Sequence, residues 1–281
     1  MTQVKDRNGE GVYAGPMNPA ASSLPGPRPS RLGNLMLPKE HGSWSLAFEP
    51  VALGLLAAPS PGGGWLAVAV AAAFFARRPL RIACRDADPE RRASAWAALG
   101  ICTLVAASAL GATVAVAGLA WIGWLAPTAL AGAVFLSFDL RNAGRAELAE
   151  VTGAAAFGVL PAAFAVLAGW SAFSALALAV LMLGRAVPTV LGVRAFLRAS
   201  KTGGWHPGPA LAAAGVALLT GLLLQRAGLV SGAAVVLLAL LAIRSAMLLV
   251  YPRPVLRPGT VGMIEAIAGV VFVVAVGTMA G

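Results

Sequence analysis

The first candidate for chemistry is a set of polar residues at the start of the first apolar stretch. Residues 38–44 read Pro-Lys-Glu-His-Gly-Ser-Trp, and a Glu-Pro pair follows at positions 49 and 50. In a helix, His41, Ser45 and Glu49 share one face, because each lies four residues after the previous one. Pro50 cannot donate its amide and is expected to bend the helix beside Glu49. This face either lines a polar cavity open to the cytoplasm, or combines a helix cap with one buried, paired or protonated glutamate.

A second candidate is a stripe of arginines after the next apolar stretch. Arg77, Arg81 and Arg85 recur every four residues, provided that the helix continues through Pro79. Guanidinium groups on one helix face can bind a phosphate or a carboxylate in bidentate fashion. The alternative is that these arginines only orient the chain in a membrane. Three acidic residues lie just beyond the stripe: Asp86, Asp88 and Glu90.

The third candidate is Arg185, which lies deep in a long apolar stretch with Pro188 one turn further on. A charge inside a membrane span requires a carboxylate partner or a water-filled cavity. Glu265, about one turn into the last apolar stretch, is a candidate partner for Arg185 or for one of the two arginines that follow it, Arg194 and Arg198. The sequence leaves open which of these pairs forms.

Two further acids are interpreted as structural. Glu147 and Glu150 follow Arg141 and Arg145 at the start of the fifth predicted span. Acidic side chains suit a helix N-terminus and can pair with neighbouring arginines. We therefore expect these glutamates to stabilise a helix start.

The overall composition determines which elements must position these side chains. Hydrophobic residues make up 59% of the 281 positions and charged residues 11%, and the mean hydropathy is +0.81. This is more apolar surface than a soluble domain of this length can bury, so much of it must face lipid. Helices are then required, since an open sheet would leave backbone groups unpaired in lipid. The sequence predicts an all-α, polytopic transmembrane bundle with no nucleic-acid partner, despite its net charge of +10.

We predict nine spans, because a span needs about 20 apolar residues. The first two, at residues 44–58 and 65–76, are short and need their inner ends to extend, or else they form a re-entrant pair. The other seven come from two hairpins and three single stretches: 93–138 turning near Gly118, 151–184 turning at residues 169–171, 207–225, 227–243 and 258–281.

The distribution of positive charge predicts the orientation. Of the 21 Lys and Arg residues, Arg185 is intramembrane, Arg226 lies on one side, and the remaining nineteen lie on the other. Positive residues accumulate on the cytoplasmic side, so the N-terminus is predicted inside and the C-terminus outside a bacterial cytoplasmic membrane. Residues 1–36 lack an apolar core and are predicted to be a disordered cytoplasmic tail, whereas residues 37–281 form a single transmembrane domain.

Residues 36–281 resemble the YwiC-like family of bacterial membrane proteins. The resemblance rests on the Pro-Lys-Glu-His-Gly-Ser-Trp segment with a proline soon after it, on the Arg-Arg-Pro-Leu-Arg segment at 77–81, and on Arg194 and Arg198. It implies an integral membrane protein of the plasma membrane and by itself points to no reaction.

The chain is more weakly similar to UbiA-type intramembrane prenyltransferases, which have nine helices, a cytoplasmic N-terminus and functional loops after helices 2 and 6. Residues 77–92 and 194–206 occupy the corresponding positions. That family uses aspartate-rich motifs in both loops to hold Mg²⁺ against a prenyl diphosphate. Here the first segment offers only Asp86 and Asp88, and the second has no carboxylate. No cofactor and no metal site is therefore predicted, and an enzyme of this kind would be a prenyltransferase-like transferase without the usual motifs.

Three functions remain open. The first is binding or modification of an amphipathic ligand, isoprenoid or lipid-like, whose anionic head contacts the basic cluster at the cytoplasmic face. The second is a transporter or channel, in which Arg185, Glu49 and Glu265 line a path. The third is a non-enzymatic partner or assembly protein of another membrane complex. The sequence contains no Ser-His-Asp set and no phosphate-binding loop that would name a reaction.

Overall fold

A computed structural model of the chain describes residues 41–144, 146–202, 204, 206–250 and 257–280. The predicted tail at residues 1–36 and the linker at 251–256 lie outside the described residues. Throughout the described ranges the regular secondary structure is helical and no residue is in a strand. The prediction of an all-α architecture is confirmed.

Ten α-helices and one short 3₁₀ helix make up the described part of the chain. They are α1 His41–Ala57, α2 Pro61–Arg85, α3 Pro89–Ala117, the 3₁₀ helix Ile122–Leu125, α4 Ala126–Leu140, α5 Glu147–Gly158, α6 Leu160–Leu167, α7 Ala172–Thr202, α8 Gly208–Arg226, α9 Gly232–Val250 and α10 Pro258–Ala280. The 3₁₀ helix continues directly into α4, and α5 is followed at once by α6, so each of these two pairs forms one long rod.

Seven of these rods are long and apolar enough to cross a membrane. These seven rods run from α3 to α10, and they correspond to the seven predicted spans whose apolar stretches are long enough to cross a bilayer. The shorter apolar segment Trp44–Ala57 of α1 does not meet the same criteria. The helix α2 has 25 residues, but its last turns carry Arg77, Arg78, Arg81 and Arg85. Nine spans are therefore not confirmed, and the difference from seven lies in the first two helices.

Glycines make the predicted hairpin turns. Gly118 follows the last residue of α3 with a φ of 68°, and Gly169 lies between α6 and α7 with a φ of 83°. Both values are in the left-handed region, which L-amino acids with a side chain rarely adopt. The turns predicted near Gly118 and at residues 169–171 are present where the sequence places them.

Most of each basic segment is helical, as the arginine stripe requires. Pro79 is buried inside α2, and the helix continues through it to Arg85. Only residues 86–88 separate α2 from α3. In the same way Arg194 and Arg198 belong to α7, which continues to Thr202. A proline removes one backbone donor without ending a helix when neighbouring helices pack around it.

The centre of the bundle contains α1, the α5–α6 rod and α7. In the most apolar segment of each helix, the buried share is 56% for the α5–α6 rod and 50% for α7, but only 17% for α3. On α3 the side chain of Leu104 is 69% exposed, as expected of a helix that faces lipid. The first and last described helices, α1 and α10, pack against each other and run in the same direction. A Cβ on Gly277 would lie 2.8 Å from the Leu56 side chain, so the two backbones approach closely there.

Candidate functional site

Four charged side chains from four helices meet inside the bundle and form what we call the central cluster: Glu49 of α1, Arg185 of α7, Arg244 of α9 and Glu265 of α10. The exposed fraction is 2% for the side chain of Arg185, 10% for both glutamates and 22% for Arg244. Two arginines and two glutamates leave the cluster formally neutral. Buried charges in a membrane protein are rarely placed without a function.

Three ion pairs connect the members of the central cluster. Arg185 Nη2 lies 3.6 Å from Glu49 Oε2, and Arg185 Nη1 lies 3.7 Å from Glu265 Oε2. Arg244 Nη1 approaches Glu265 Oε2 to 2.5 Å, although the angle is not that of a hydrogen bond. Glu265 is thus shared by two guanidinium groups.

Hydrogen bonds hold the members of the cluster in place. Arg185 Nη2 donates to the backbone oxygen of Glu265 at 2.7 Å, and Nη1 donates to Thr189 Oγ1. Ser45 donates from Oγ to Glu49 Oε1. Gly269 of α10 leaves the space that the Glu49 carboxylate occupies, because a Cβ at that position would collide with it. The Glu49 side chain is therefore held between Ser45, α10 and Arg185.

Four buried polar atoms of the cluster make no hydrogen bond within the described part of the chain. Arg244 Nη1 and Glu265 Oε2 face each other as an ion pair, and the other two are guanidinium donors. Arg185 Nε and Arg244 Nε have no hydrogen-bond acceptor among the described residues. A buried donor without an acceptor costs about 1–3 kcal/mol, and such groups in native structures call for a bound water, ion or ligand. Because Arg185 Nε and Arg244 Nε are donors, an acceptor oxygen is the group that would complement them.

The structure brings together part of the site that the sequence predicts. Glu49, Arg185 and Glu265 meet, and Glu265 is a partner of Arg185 as proposed. His41 lies at the start of α1, but its side chain is outside the described residues. Sequence reasoning missed Arg244, which it counted among the residues that orient the chain. A signal was available in the sequence: apolar residues lie on both sides of Arg244. The helix α9 accordingly continues past Arg244 to Val250.

The arginines of α2 contact a carboxylate that sequence reasoning also missed. Asp139, near the end of α4, is 3% exposed. Arg77 binds it in bidentate fashion, with Nε 3.0 Å from Oδ2 and Nη2 3.1 Å from Oδ1. Arg81 Nη1 lies 3.5 Å from the same carboxylate, and the Arg77 guanidinium stacks 4.5 Å from the ring centre of Phe135. Arg85 donates to the Leu140 backbone oxygen at 2.6 Å.

Asp139 therefore changes the interpretation of the arginine stripe. The stripe does lie on one helix face, but two of its members are directed at a carboxylate of the same chain. Asp139 ends the charge-free segment 93–138, which is why its own role was not considered. In the structure the stripe fastens α2 to the end of α4, and Arg81, 42% exposed, remains the member most open to an external anion.

Asp86 and Arg194, the remaining predicted site residues, have structural partners. Asp86 Oδ1 accepts a hydrogen bond from the Asp88 amide at 3.1 Å, and Oδ2 lies 3.0 Å from Arg91 Nη1. These contacts close the short turn between α2 and α3, outside the bundle interior. We infer that Asp86 shapes this turn.

The acids at the start of α5 pair with α7. Arg194 Nη1 lies 2.6 Å from Glu150 Oε2 and Arg198 Nη2 lies 3.1 Å from Glu147 Oε2. The expected partners, Arg141 and Arg145, precede the acids in sequence, and Arg145 lies outside the described residues. The structural role predicted for these acids is present, but it joins two helices instead of capping one.

Together these features define a class of protein. The chain is a multi-pass α-helical membrane protein with a neutral, four-residue ion cluster in its interior. Among the described residues, no group of three His, Cys, Asp or Glu side chains could hold a metal ion.

Comparison with known proteins gives the family of the first half of the chain. The sequence model described as YwiC-like protein matches residues 37–165, so this segment is YwiC-like and the resemblance stated above is confirmed there. No curated protein and no solved structure matches the chain. Glu49 and Asp139 lie within the matched segment, whereas Arg185, Arg244 and Glu265 lie beyond it.

Proposed function

We propose that this protein binds an amphipathic ligand inside the membrane, with the anionic head of the ligand at the central cluster. The observation that carries the proposal is the pair of buried donors, Arg185 Nε and Arg244 Nε, on guanidinium groups that both reach Glu265. A phosphate or carboxylate oxygen is the natural complement of such donors. An isoprenoid or another lipid-like molecule would supply the apolar remainder, which matches the apolar surroundings.

The two carboxylates near Arg185 do not satisfy it with short hydrogen bonds. Carboxylate oxygens of Glu49 and Glu265 lie 3.6 and 3.7 Å from the nearest nitrogens of the Arg185 guanidinium. A strong charge-assisted hydrogen bond between such groups is shorter, about 2.7–2.9 Å. Arg185 is therefore incompletely satisfied by its own carboxylates. Arg244, with 22% of its side chain exposed, offers the side from which a ligand would approach.

The proposal includes a topology. We place α1 and α2 across the membrane as well, which gives nine spans, a cytoplasmic N-terminus and an outer C-terminus in the bacterial cytoplasmic membrane. The support is the accumulation of basic residues on one side: eighteen of the 21 lie there once Arg185 and Arg244 are assigned to the central cluster, and Arg226 lies on the other. The similarity to UbiA-type proteins rests on the same helix number and on the positions of the basic segments. The absence of aspartate-rich motifs favours binding of the anion by arginines without Mg²⁺.

Native mass spectrometry of the protein purified in a mild detergent tests this function. We expect the wild type to retain a lipid or isoprenoid with an anionic head, and Arg185→Gln and Arg244→Gln to retain much less. Arg226→Gln, an equivalent change at an exposed position, is the matched control and should retain the ligand. Each variant is checked for a monodisperse elution profile.

If folded Arg185→Gln and Arg244→Gln retain the same molecules at the wild-type level, the proposal is wrong. A protein that carries no such molecule but drives solute flux in liposomes would be a transporter instead. Co-purification of a stoichiometric protein, again without a ligand, would favour the partner or assembly function.

A further inference from the structure

The end of the bundle opposite the arginine stripe of α2 contains a cavity of about 490 Å³. Its walls come from the turn between α6 and α7, the turn between α8 and α9, and the last turns of α10. This volume is within the range of about 300–1,000 Å³ that is usual for small-molecule sites. None of the residues assigned above to the central cluster or to the arginine stripe lines it.

The chemistry of the lining is uniform in one respect, since none of its residues is ionisable. Three serines, Ser171, Ser174 and Ser231, lie at its rim beside Trp170. The remaining residues are aliphatic side chains, one methionine and one glycine. Hydroxyl groups both donate and accept hydrogen bonds, and tryptophan combines a large apolar face with one donor, a combination that suits the boundary between membrane and water.

The serine hydroxyls have only local partners in the structure. Ser171 Oγ accepts from the Ser174 amide at 3.2 Å and lies 2.9 Å from Ser174 Oγ. Ser231 Oγ accepts from the Ala234 amide at 3.3 Å. The hydroxyl hydrogen of Ser231 and that of either Ser171 or Ser174 therefore remain able to donate to a guest molecule.

An apolar layer separates the cavity from the central cluster. On α7, Leu181 lies at the cavity one turn before Arg185. On α10, Phe272 is 1% exposed and lies between Val276 at the cavity and Glu265 of the cluster. The cavity is thus a separate site with different chemistry.

We propose that this cavity binds an uncharged amphiphile with a hydroxyl head and an apolar chain. The head contacts the serines and Trp170 at the rim, and the chain packs on the aliphatic floor. A charged head is disfavoured, because no side chain in the lining carries a charge that would compensate its desolvation. Both a free long-chain alcohol and the glycerol hydroxyl of a neutral lipid have this chemistry.

Tryptophan fluorescence quenching in phosphatidylcholine nanodiscs tests the proposal, with 2-bromoundecan-1-ol as the probe, because its bromine lies beside the hydroxyl head. We expect saturable quenching that is missing from Trp170→Phe, in which the other six tryptophans report only background. Ser174→Phe should fill the cavity and weaken binding about tenfold or more. The control Ser108→Phe makes the same change at an exposed position of α3 and should bind as the wild type does.

Two further arms fix the chemistry and the source of the ligand. 2-Bromoundecanoate, with its charged head, should not saturate. A brominated diacylglycerol that saturates at lower concentration identifies a neutral lipid as the source, whereas saturation by the bromoalcohol alone identifies a free alcohol. Quenching that is linear in the probe, insensitive to Ser174→Phe, or equal for the carboxylate would overturn the proposal. Arg244→Gln should leave this titration unchanged, so the two sites succeed or fail separately.

Discussion

Replacing Asp139 by asparagine removes the carboxylate that Arg77 and Arg81 share. Asp139 is 3% exposed, and Arg77 binds both of its oxygens at 3.0 and 3.1 Å. Removing one partner of a buried ion pair costs about 3–5 kcal/mol, because the other charge is left uncompensated. Arg77 and Arg81 are 23% and 42% exposed, so water recovers part of that cost. We therefore expect Asp139→Asn to lower the free energy of unfolding by about 2–3 kcal/mol.

A double-mutant cycle with Arg77→Gln isolates the contact itself, measured by titration with sodium dodecyl sulfate in mixed micelles. If the two side chains act together, the double variant loses less stability than the sum of the single changes, with a coupling energy of about 1–2 kcal/mol. Asp139→Asn should also leave intact the retention of the ligand that we propose for the central cluster, since Asp139 lies outside that cluster. Strictly additive single-variant effects would refute the inferred fastening of α2 to α4.

Two further predictions concern packing and topology. Gly54→Ala should lower the free energy of unfolding by about 1–3 kcal/mol through overpacking, because the new Cβ would lie 2.5 Å from the buried ring of Phe164. The control Gly111→Ala places its Cβ in open space and should change the free energy of unfolding very little. Equal stabilities of the two variants would contradict the close packing of α1. Pro59→Cys lies in the turn between α1 and α2 and should react with an impermeant maleimide in intact cells if both helices span the membrane. The native exposed Cys84 should react only after the cells are permeabilised. If the cysteine at position 59 also needs permeabilisation, α1 and α2 form a re-entrant pair.

Local chemistry is what the sequence predicts well. Gly118 and Gly169 mark turns because the required backbone conformation favours glycine, and the structure has both turns. Seven apolar stretches become seven helices of spanning length for an equally local reason. The prediction was weakest for α1 and α2, where the apolar stretches were too short to decide by length.

Contacts between distant residues could be predicted only as a class. The need of Arg185 for a carboxylate follows from the cost of a charge in lipid. Glu265, 80 residues away, was a candidate partner, but the sequence left open whether it pairs with Arg185, Arg194 or Arg198. The contact of Arg77 with Asp139, over 62 residues, was missed because Asp139 was seen only as the end of an apolar stretch. Arg244 was missed because arginines near a helix end usually serve topology. Spacing along one chain does not reveal which helices become neighbours.

The most direct test of the central claim is an experimental density map of the protein purified from its native membrane. We expect non-protein density within about 3.2 Å of both Arg185 Nε and Arg244 Nε, compact at that end and continued by an apolar chain. A map in which these two nitrogen atoms bind only protein groups or isolated waters would contradict the claim that the central cluster holds the head of an amphipathic ligand.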